Sequence, residues 1–455
     1  MSASAPAAAG GTLVVRGGTL VTMDAAASVL GGRDLLVREG VIAAVGIGLE
    51  VAAGTRELDA RGCFVLPGLI QGHLHLGQTI FRGLAERRRL LAWLRERIWP
   101  LEAAHDAESA HASALLGAAE CLLGGTTTIQ EIGIGPEAEA LLDGIVASGL
   151  RGFAGKCLMD TGEGLPERLR EPTARCLDEA ETLGERLARA SGGRLRPVLN
   201  PRFALSCSET LLRGTAELAA RRGWPVHTHA LEQRDETAAV RRAWQGRDEI
   251  ALFRDFGLLD RDLRIAHGVW LERRDLPELA RRRFSVVHCP GSNLKLGSGI
   301  ARVAQIRRAG IPVGLGADGA ACNDRLDAWS EMRLAGQLAA LREGPAASGG
   351  LDALRLATSE GARALGIEHE VGSLEVGKRG DFVIVAVDRP ELVAAEGVDP
   401  HDLLAFAAGR ESVRDVAIEG ELHVEGGRLR RLDLGRVKRE ARAAADRVAR
   451  RAGVA

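Results

Sequence analysis

The sequence contains no tyrosine, and aromatic residues make up 3% of its 455 positions. Arg and Ala abound instead, a compositional bias that points to no activity. No run of about 18 apolar residues occurs, so no membrane-spanning helix is expected. The seven cysteines (63, 121, 157, 176, 207, 289 and 322) form no C-x-x-C pair. That leaves no zinc knuckle or thioredoxin-type site, and an odd, unspaced count fits a reducing cytoplasm. Formal net charge is -1, which gives no footprint for nucleic acid or an acidic membrane. The first eleven residues are Ala-rich but lack a basic start and an apolar core. They read as a loose tail rather than a signal peptide.

What is present is apolar content of 46%, enough for a large core in one big domain with a smaller one. Residues 12–66 read as short strands with Gly turns: Thr12–Arg16, Thr19–Met23, Asp34–Arg38, Val41–Val45 and Cys63–Leu66, broken at Gly17-Gly18, Gly31-Gly32 and Gly40. From about residue 67 to 370, short apolar runs alternate with helical patterns, as in Leu195–Leu199 followed by Ser208–Arg222. Repeated βα units imply a parallel sheet, and about eight of them fit a closed barrel. After residue 370 β texture returns, at Gly372–Gly377, Asp381–Val387, Val413–Ile418 and Glu421–Val424. The expected organisation is therefore an α/β chain. A (β/α)8 barrel over residues 67–370 is inserted into a small β-domain built from residues 1–66 and 371–455. The Arg-rich stretch Leu434–Ala452 reads as a helix with a solvated face.

Chemistry in a barrel sits at the C-terminal ends of its strands. Of the eleven histidines, His73, His75, His227, His229, His267 and His288 fall at candidate strand ends, joined by the late acid Asp318 in Gly316-Ala317-Asp318-Gly319. The pair His73-Leu74-His75 closes an apolar run, and alternation along a strand aims both imidazoles the same way. Two neutral imidazoles make half of a divalent metal site. His229, His267, His288 and Asp318 are the candidates for the rest. His227 is expected to be structural and to face away from His229. His105, His111, His369, His401 and His423 have no motif around them and are assigned to the surface. Glu232, three residues after His229, can swing back over such a centre as a proton carrier.

These residues resemble the amidohydrolase superfamily, in its deaminase and chlorohydrolase branch. The carriers are Pro67-Gly68-Leu69-Ile70 with His73-Leu74-His75, Gly125-Thr126-Thr127-Thr128, His227-Thr228-His229-Ala230-Leu231-Glu232, Ala266-His267-Gly268, His288-Cys289-Pro290-Gly291-Ser292-Asn293, and Gly316-Ala317-Asp318-Gly319. They span nearly the whole chain. The resemblance implies a distorted TIM (β/α)8 barrel with a β-sandwich from both termini. It implies one divalent metal, zinc or alternatively iron, on His73, His75, His229 and Asp318. His267 touches the metal's water or the substrate, with direct ligation left open, and Glu232 is the proton shuttle. Binuclear relatives carry a bridging Lys. The nearest candidate here is Lys156, on the third strand rather than the fourth, so a single metal is expected. The implied reaction is hydrolytic deamination, in which Asp318 accepts a proton from water and Glu232 protonates first a ring nitrogen and then the departing amine.

For the substrate, Gln78, Arg202 and Phe203 can read and cover a purine, as in guanine deaminase. Gln78–Leu84, Arg97–Glu102 and Asp318–Asn323 resemble 5′-deoxyadenosine deaminases instead, and the acid matching Glu102 binds ribose hydroxyls in adenosine-type relatives. Methylthioadenosine and S-adenosylhomocysteine deaminases carry a His where Arg202 stands. Trp93 and Trp99 are assigned to helix packing. The expectation is an aminopurine deaminase, forming a homo-oligomer by analogy with relatives. The alternatives are a triazine chloro- or aminohydrolase and a cyclic-amide ring-opening hydrolase such as imidazolonepropionase. A non-catalytic binding protein has no use for both Glu232 and His267.

Overall fold

The computed structural model describes residues 11–454. Residues 1–10 of the expected N-terminal tail lie outside them. The chain opens with β1 (Leu13–Val21), β2 (Val29–Arg38), β3 (Val41–Gly46), β4 (Arg56–Asp59) and β5 (Cys63–Pro67). Eleven short strands follow, interspersed with helices except within the pairs β8/β9, β10/β11 and β15/β16: β6 (Leu69–His75), β7 (Thr126–Glu131), β8 (Arg151–Ala154), β9 (Cys157–Leu158), β10 (Leu195–Pro197), β11 (Asn200–Pro201), β12 (Val226–Ala230), β13 (Leu263–His267), β14 (Phe284–His288), β15 (Val313–Leu315) and β16 (Asp318–Gly319). The last strands are β17 (Phe382–Ala386), β18 (Val413–Ile418), β19 (Glu421–Glu425) and β20 (Arg428–Leu429).

β6 to β16 form a parallel barrel. One arc runs β10-β8-β7-β6-β16 and the other β12-β13-β14-β15. A parallel bridge from Leu199 to Val226 joins them on one side. On the other, Asp318–Gly319 pairs with Leu74–His75, so the chain of β15 closes the ring through β16. β6, β7, β13 and β14 bury every residue, because a barrel strand is covered inside by side chains and outside by helices. The closure carries a consequence for chemistry: the last pairing brings Asp318 beside the end of β6, where His73 and His75 stand.

Strands from both termini make one nine-stranded sheet, ordered β20-β19-β18-β17-β5-β1-β2-β3, with β4 also on β1. β5 and β17 pair antiparallel from Pro67–Phe382 to Cys63–Ala386, stitching the two ends of the chain together. Four local expectations are overturned here. Gly31-Gly32 marks no break, because β2 runs through both glycines from Val29 to Arg38. Gly17-Gly18 does not separate two strands. It bends the single strand β1, whose residues 13–16 pair with β4 and 19–20 with β5. Gly17 has φ 66° and the register slips at this point, the geometry of a bulge. Gly372–Gly377 forms no strand. The terminal helix Leu434–Ala452 is not merely solvated, since Val437, Ala441, Ala444 and Val448 are buried. Their 4-3-4 spacing is an apolar stripe narrow enough to hide among arginines, and it packs on the helix Ala107–Leu123.

A separate apolar cluster caps the barrel's C-terminal mouth, including Ile80, Phe81, Leu90, Trp93, Leu94, Trp99, Phe203 and Leu296. Among the described residues no helix is long and apolar enough to cross a membrane.

Candidate metal centre and catalytic pocket

The ligand atoms of His73, His75, His229 and Asp318 all lie within 4.8 Å of one another. His73 and His75 occupy alternate positions at the end of β6, His229 stands on β12, and Asp318 opens β16. Asp318 Oδ1 is 3.2 Å from His73 Nε2 and 3.3 Å from His75 Nε2. His75 Nε2 and His229 Nε2 are 3.0 Å apart. A tetrahedral ion with bonds of about 2.0–2.1 Å holds its ligand atoms roughly 3.3 Å from each other, so the spacing fits one. His73 Nε2 is buried and makes no hydrogen bond of good geometry, although Asp318 Oδ1 is close. A lone pair and a carboxylate converging without a proton between them fit a cation. Three imidazoles and one carboxylate suit a borderline-soft divalent metal.

Local backbone geometry serves the same point. Asp318, His267 and Leu231 have φ of 61°, 73° and 54°, a region sparsely used by residues other than glycine. Each lies where a strand ends at the mouth and the chain turns sharply. A Cβ on Gly316 would lie 2.6 Å from the His73 carbonyl oxygen, so only glycine lets this turn pass so close to β6. Ser292 Oγ donates to Asp318 Oδ2 at 2.7 Å. One carboxylate oxygen therefore faces the imidazoles and the other is held by a hydroxyl.

His267 is outside the four-residue group. Its Nδ1 donates to Asn293 Oδ1 at 3.0 Å, and its Nε2 lies 3.4 Å from Glu232 Oε2 and 3.7 Å from Asp318 Oδ2. It stands between the two acids. Glu232 is 2% exposed. Ser298 Oγ donates to its Oε1 at 3.2 Å. Its own backbone N–H and that of Gln233 donate to Glu236 Oε2, at 2.8 and 3.1 Å, which fixes the turn that carries it. Burial first, then the charge of Asp318, pushes the Glu232 carboxyl up to about 8. A protonated carboxyl is thus available near neutral pH.

A narrow cavity opens over these groups. Its wall combines His75, His229, Glu232, His267 and Asp318 with Arg202, Phe203, Leu90, Trp93, Leu94 and Leu296. Arg202 Nη1 donates to Glu102 Oε2 at 2.6 Å, and Gln78 Nε2 donates to Glu102 Oε1 at 2.9 Å. Of the sequence candidates for substrate contact, Arg202, Phe203 and His267 line the cavity. Gln78 and Glu102 stand behind Arg202, joining it to the His75 side of the centre.

Several placements differ from the expectations. His227 does not face away from His229. Two residues apart on one strand, they share a face, and His227 Nε2 lies 2.7 Å from His73 Nδ1. His288 is buried but outside the metal group. His105, His401 and His423 are buried, at 1%, 5% and 1% exposure, not on the surface. His105 bridges Ser109 Oγ and the Gly77 carbonyl, supporting the turn after His75. A lone histidine with no motif carries no signal of such a packing role. Trp93 lines the pocket as well as packing. Lys156 is held by Glu171 at 2.7 Å and by Glu179, away from the centre. Residues that sequence reasoning gave no role are Ser292, Asn293, Ser298 and Glu236. Ser292 and Asn293 lie in a motif already singled out at the end of β14; the other two carry no spacing signal.

The model of the amidohydrolase family matches residues 64–422. A 5-methylthioadenosine/S-adenosylhomocysteine deaminase of Symbiobacterium thermophilum is 37% identical over 418 residues, 91% of this chain and 93% of that protein. A 5′-deoxyadenosine deaminase of Methanosarcina acetivorans is 33% identical over 442 residues, 97% of this chain and 99% of its own. Among solved structures, an adenosine deaminase from Xanthomonas campestris with bound zinc superposes with a TM-score of 0.87 at 31% identity, covering 96% of this chain and 98% of that one.

Proposed function

The chain belongs to the amidohydrolase family, and from that premise we propose its activity. It is a metal-dependent hydrolytic deaminase that converts the exocyclic C–NH2 of an aminopurine, a 5′-deoxyadenosine- or thioadenosine-type nucleoside or a guanine-type base, to C=O with release of ammonia. The observation that carries the reading is the convergence of the His73, His75, His229 and Asp318 ligand atoms beside the buried carboxyl of Glu232, in a pocket also lined by His267, Arg202 and Phe203. Relatives named as deaminases of adenosine-type nucleosides, matched over nearly full length, support it.

We assign His73, His75, His229 and Asp318 as ligands of one zinc ion. Their donor set suits either ion, and the zinc in the adenosine deaminase neighbour supports that choice over iron. When bound, the metal supplies Lewis-acid activation of a water molecule. His267, between the two acids, orients that water toward the amine-bearing ring carbon. Asp318 Oδ2, on the Ser292 side, takes a proton from it. Glu232 gives its proton to the neighbouring ring nitrogen, which makes that carbon electrophilic, then takes the proton of the new hydroxyl and passes it to the amine, and the proton held by Asp318 returns to Glu232. Water's oxygen bonds to carbon, the C–N bond breaks, and nitrogen leaves as ammonia. Arg202, aligned by Glu102 and Gln78, reads acceptor atoms on the base, while Phe203, Leu90 and Leu94 cover its faces and exclude water. We further propose a cytoplasmic homo-oligomer. The seven buried, unpaired cysteines are in keeping with a reducing compartment.

An ammonia-release screen of zinc-loaded protein tests this. The panel is guanine, 8-oxoguanine, adenine, cytosine, 5′-deoxyadenosine, methylthioadenosine, S-adenosylhomocysteine and melamine. Turnover of a purine member is expected. Release of chloride from a chlorotriazine, or a ring-opened product that retains all its nitrogen, with every purine inert, would refute it.

A further inference from the structure

His227 is fully buried, at 0% exposure, as the second residue of β12. Strand register puts it opposite Arg264 of β13, and its Nδ1 lies 2.9 Å from the Arg264 carbonyl oxygen. Its Nε2 lies 2.7 Å from His73 Nδ1. These two contacts, taken together, leave no freedom in where the ring protons sit. A carbonyl oxygen only accepts, so His227 Nδ1 carries a hydrogen. The ring is buried and no carboxylate touches it, so it is neutral and has only that one. His227 Nε2 is therefore a bare acceptor. The hydrogen between the two rings must belong to His73 Nδ1, and a neutral His73, the form that ligates a metal, then keeps its lone pair on Nε2. That is the atom found buried without a hydrogen bond, 3.2 Å from Asp318 Oδ1.

We infer that His227 is a positioning residue. It relays the polarity of the Arg264 carbonyl to His73 and so locks His73 in the tautomer that offers Nε2 to the metal. His229 reaches the same state without a relay, since its Nδ1 donates directly to the Arg202 carbonyl at 2.7 Å. The carbonyl at the head of the relay is well fixed. The Arg264 guanidinium donates to Gln130 Oε1 at 2.8 Å, pairs with Asp262 at 2.9 Å, and lies 4.3 Å from the Phe153 ring centroid. Hydrogen-bond partners behind metal-bound histidines set ring orientation and basicity, and their loss typically weakens metal binding by about 10- to 100-fold. The inference deepens the metal-centre reading and rests on it.

The experiment is zinc competition against a chromophoric chelator, using metal-free protein of the wild type, His227→Phe and His227→Gln. His227→Phe fills the space and removes both polar atoms. It is expected to lose about 10- to 100-fold in zinc affinity. The Gln amide has a donor and an acceptor about as far apart as the two ring nitrogens and is expected to recover most of that loss. A His227→Phe protein that binds zinc as tightly as wild type overturns the inference. Should that variant fail to fold, the ring 15N spectrum of zinc-loaded wild type decides. Protonated Nδ1 on both His227 and His73 is the expected pattern, and a proton on His227 Nε2 overturns it. A wild type that binds no zinc would overturn the metal-centre reading itself, a separate outcome.

Discussion

β6 and β12 each end in a His-X-His pair, and the two pairs are used differently. On β6, His73 and His75 both present Nε2 to one point. On β12, only His229 does so, while His227 stands one layer deeper and touches His73 from behind. The spacing is identical, and alternation puts each pair on one face. What separates them is height along the barrel axis. Parallel pairing sets His227 level with Arg264, below the rim, and His229 level with Ala266, next to the turn at His267. A motif thus fixes direction, and strand register fixes depth. Depth decides whether an imidazole meets the converging His73–His75–Asp318 group or another imidazole.

The comparison can be broken at its catalytic end first. Replacing Glu232 by Gln removes the proposed proton carrier and is expected to lower kcat by about 10²- to 10⁴-fold, with circular dichroism and metal content unchanged. Near-normal ammonia release would remove Glu232 from the mechanism. The same group predicts a pH profile. Glu232 is protonated below about 8, so as pH rises through that value the acid form is lost and the rate should fall. An alkaline limb that persists in Glu232→Gln would trace the fall to another group.

A second test separates the β12 side from its support. Glu102→Ala leaves the Arg202 guanidinium, 3% exposed, without its carboxylate. A broken buried ion pair costs about 3–5 kcal/mol. Thermal melts should show that loss, and KM should rise because Arg202 is no longer aligned. An unchanged melting temperature would mean that the pair is solvated. The smallest effect is expected from Ser292→Ala, which removes one hydrogen bond to a charged oxygen of Asp318. A loss of about 1.5–3 kcal/mol in transition-state stabilisation corresponds to roughly 10- to 150-fold in kcat, with KM nearly constant. Recovery in Ser292→Thr would tie the effect to the hydroxyl.

The site was legible in the sequence to the extent that its residues lie at the ends of apolar runs. His73, His75, His229 and Asp318 were marked that way, and so was Glu232 by its offset from His229. The barrel was legible for the same reason, because buried parallel strands are written as short apolar runs between helical stretches. Ser298 and Glu236 were not, since a serine or glutamate in a loop is written identically whether it meets water or a buried carboxyl. His105 was misplaced because nothing in its neighbours reveals that Gly77 and Ser109 enclose it. Gly17-Gly18 was misread because a glycine pair serves a turn and a bulge equally well.

The order of residues along the chain, by itself, determined which side chains stand at strand ends and which way successive ones point, because the pleat repeats every two residues. Only the closed barrel decided that the pairing of Asp318 with Leu74 carries a late carboxylate to the first strand, and that His227 backs His73 instead of joining it. Those choices depend on register between strands far apart in the chain. Register is settled by packing the whole ring at once, and no local stretch of sequence contains it.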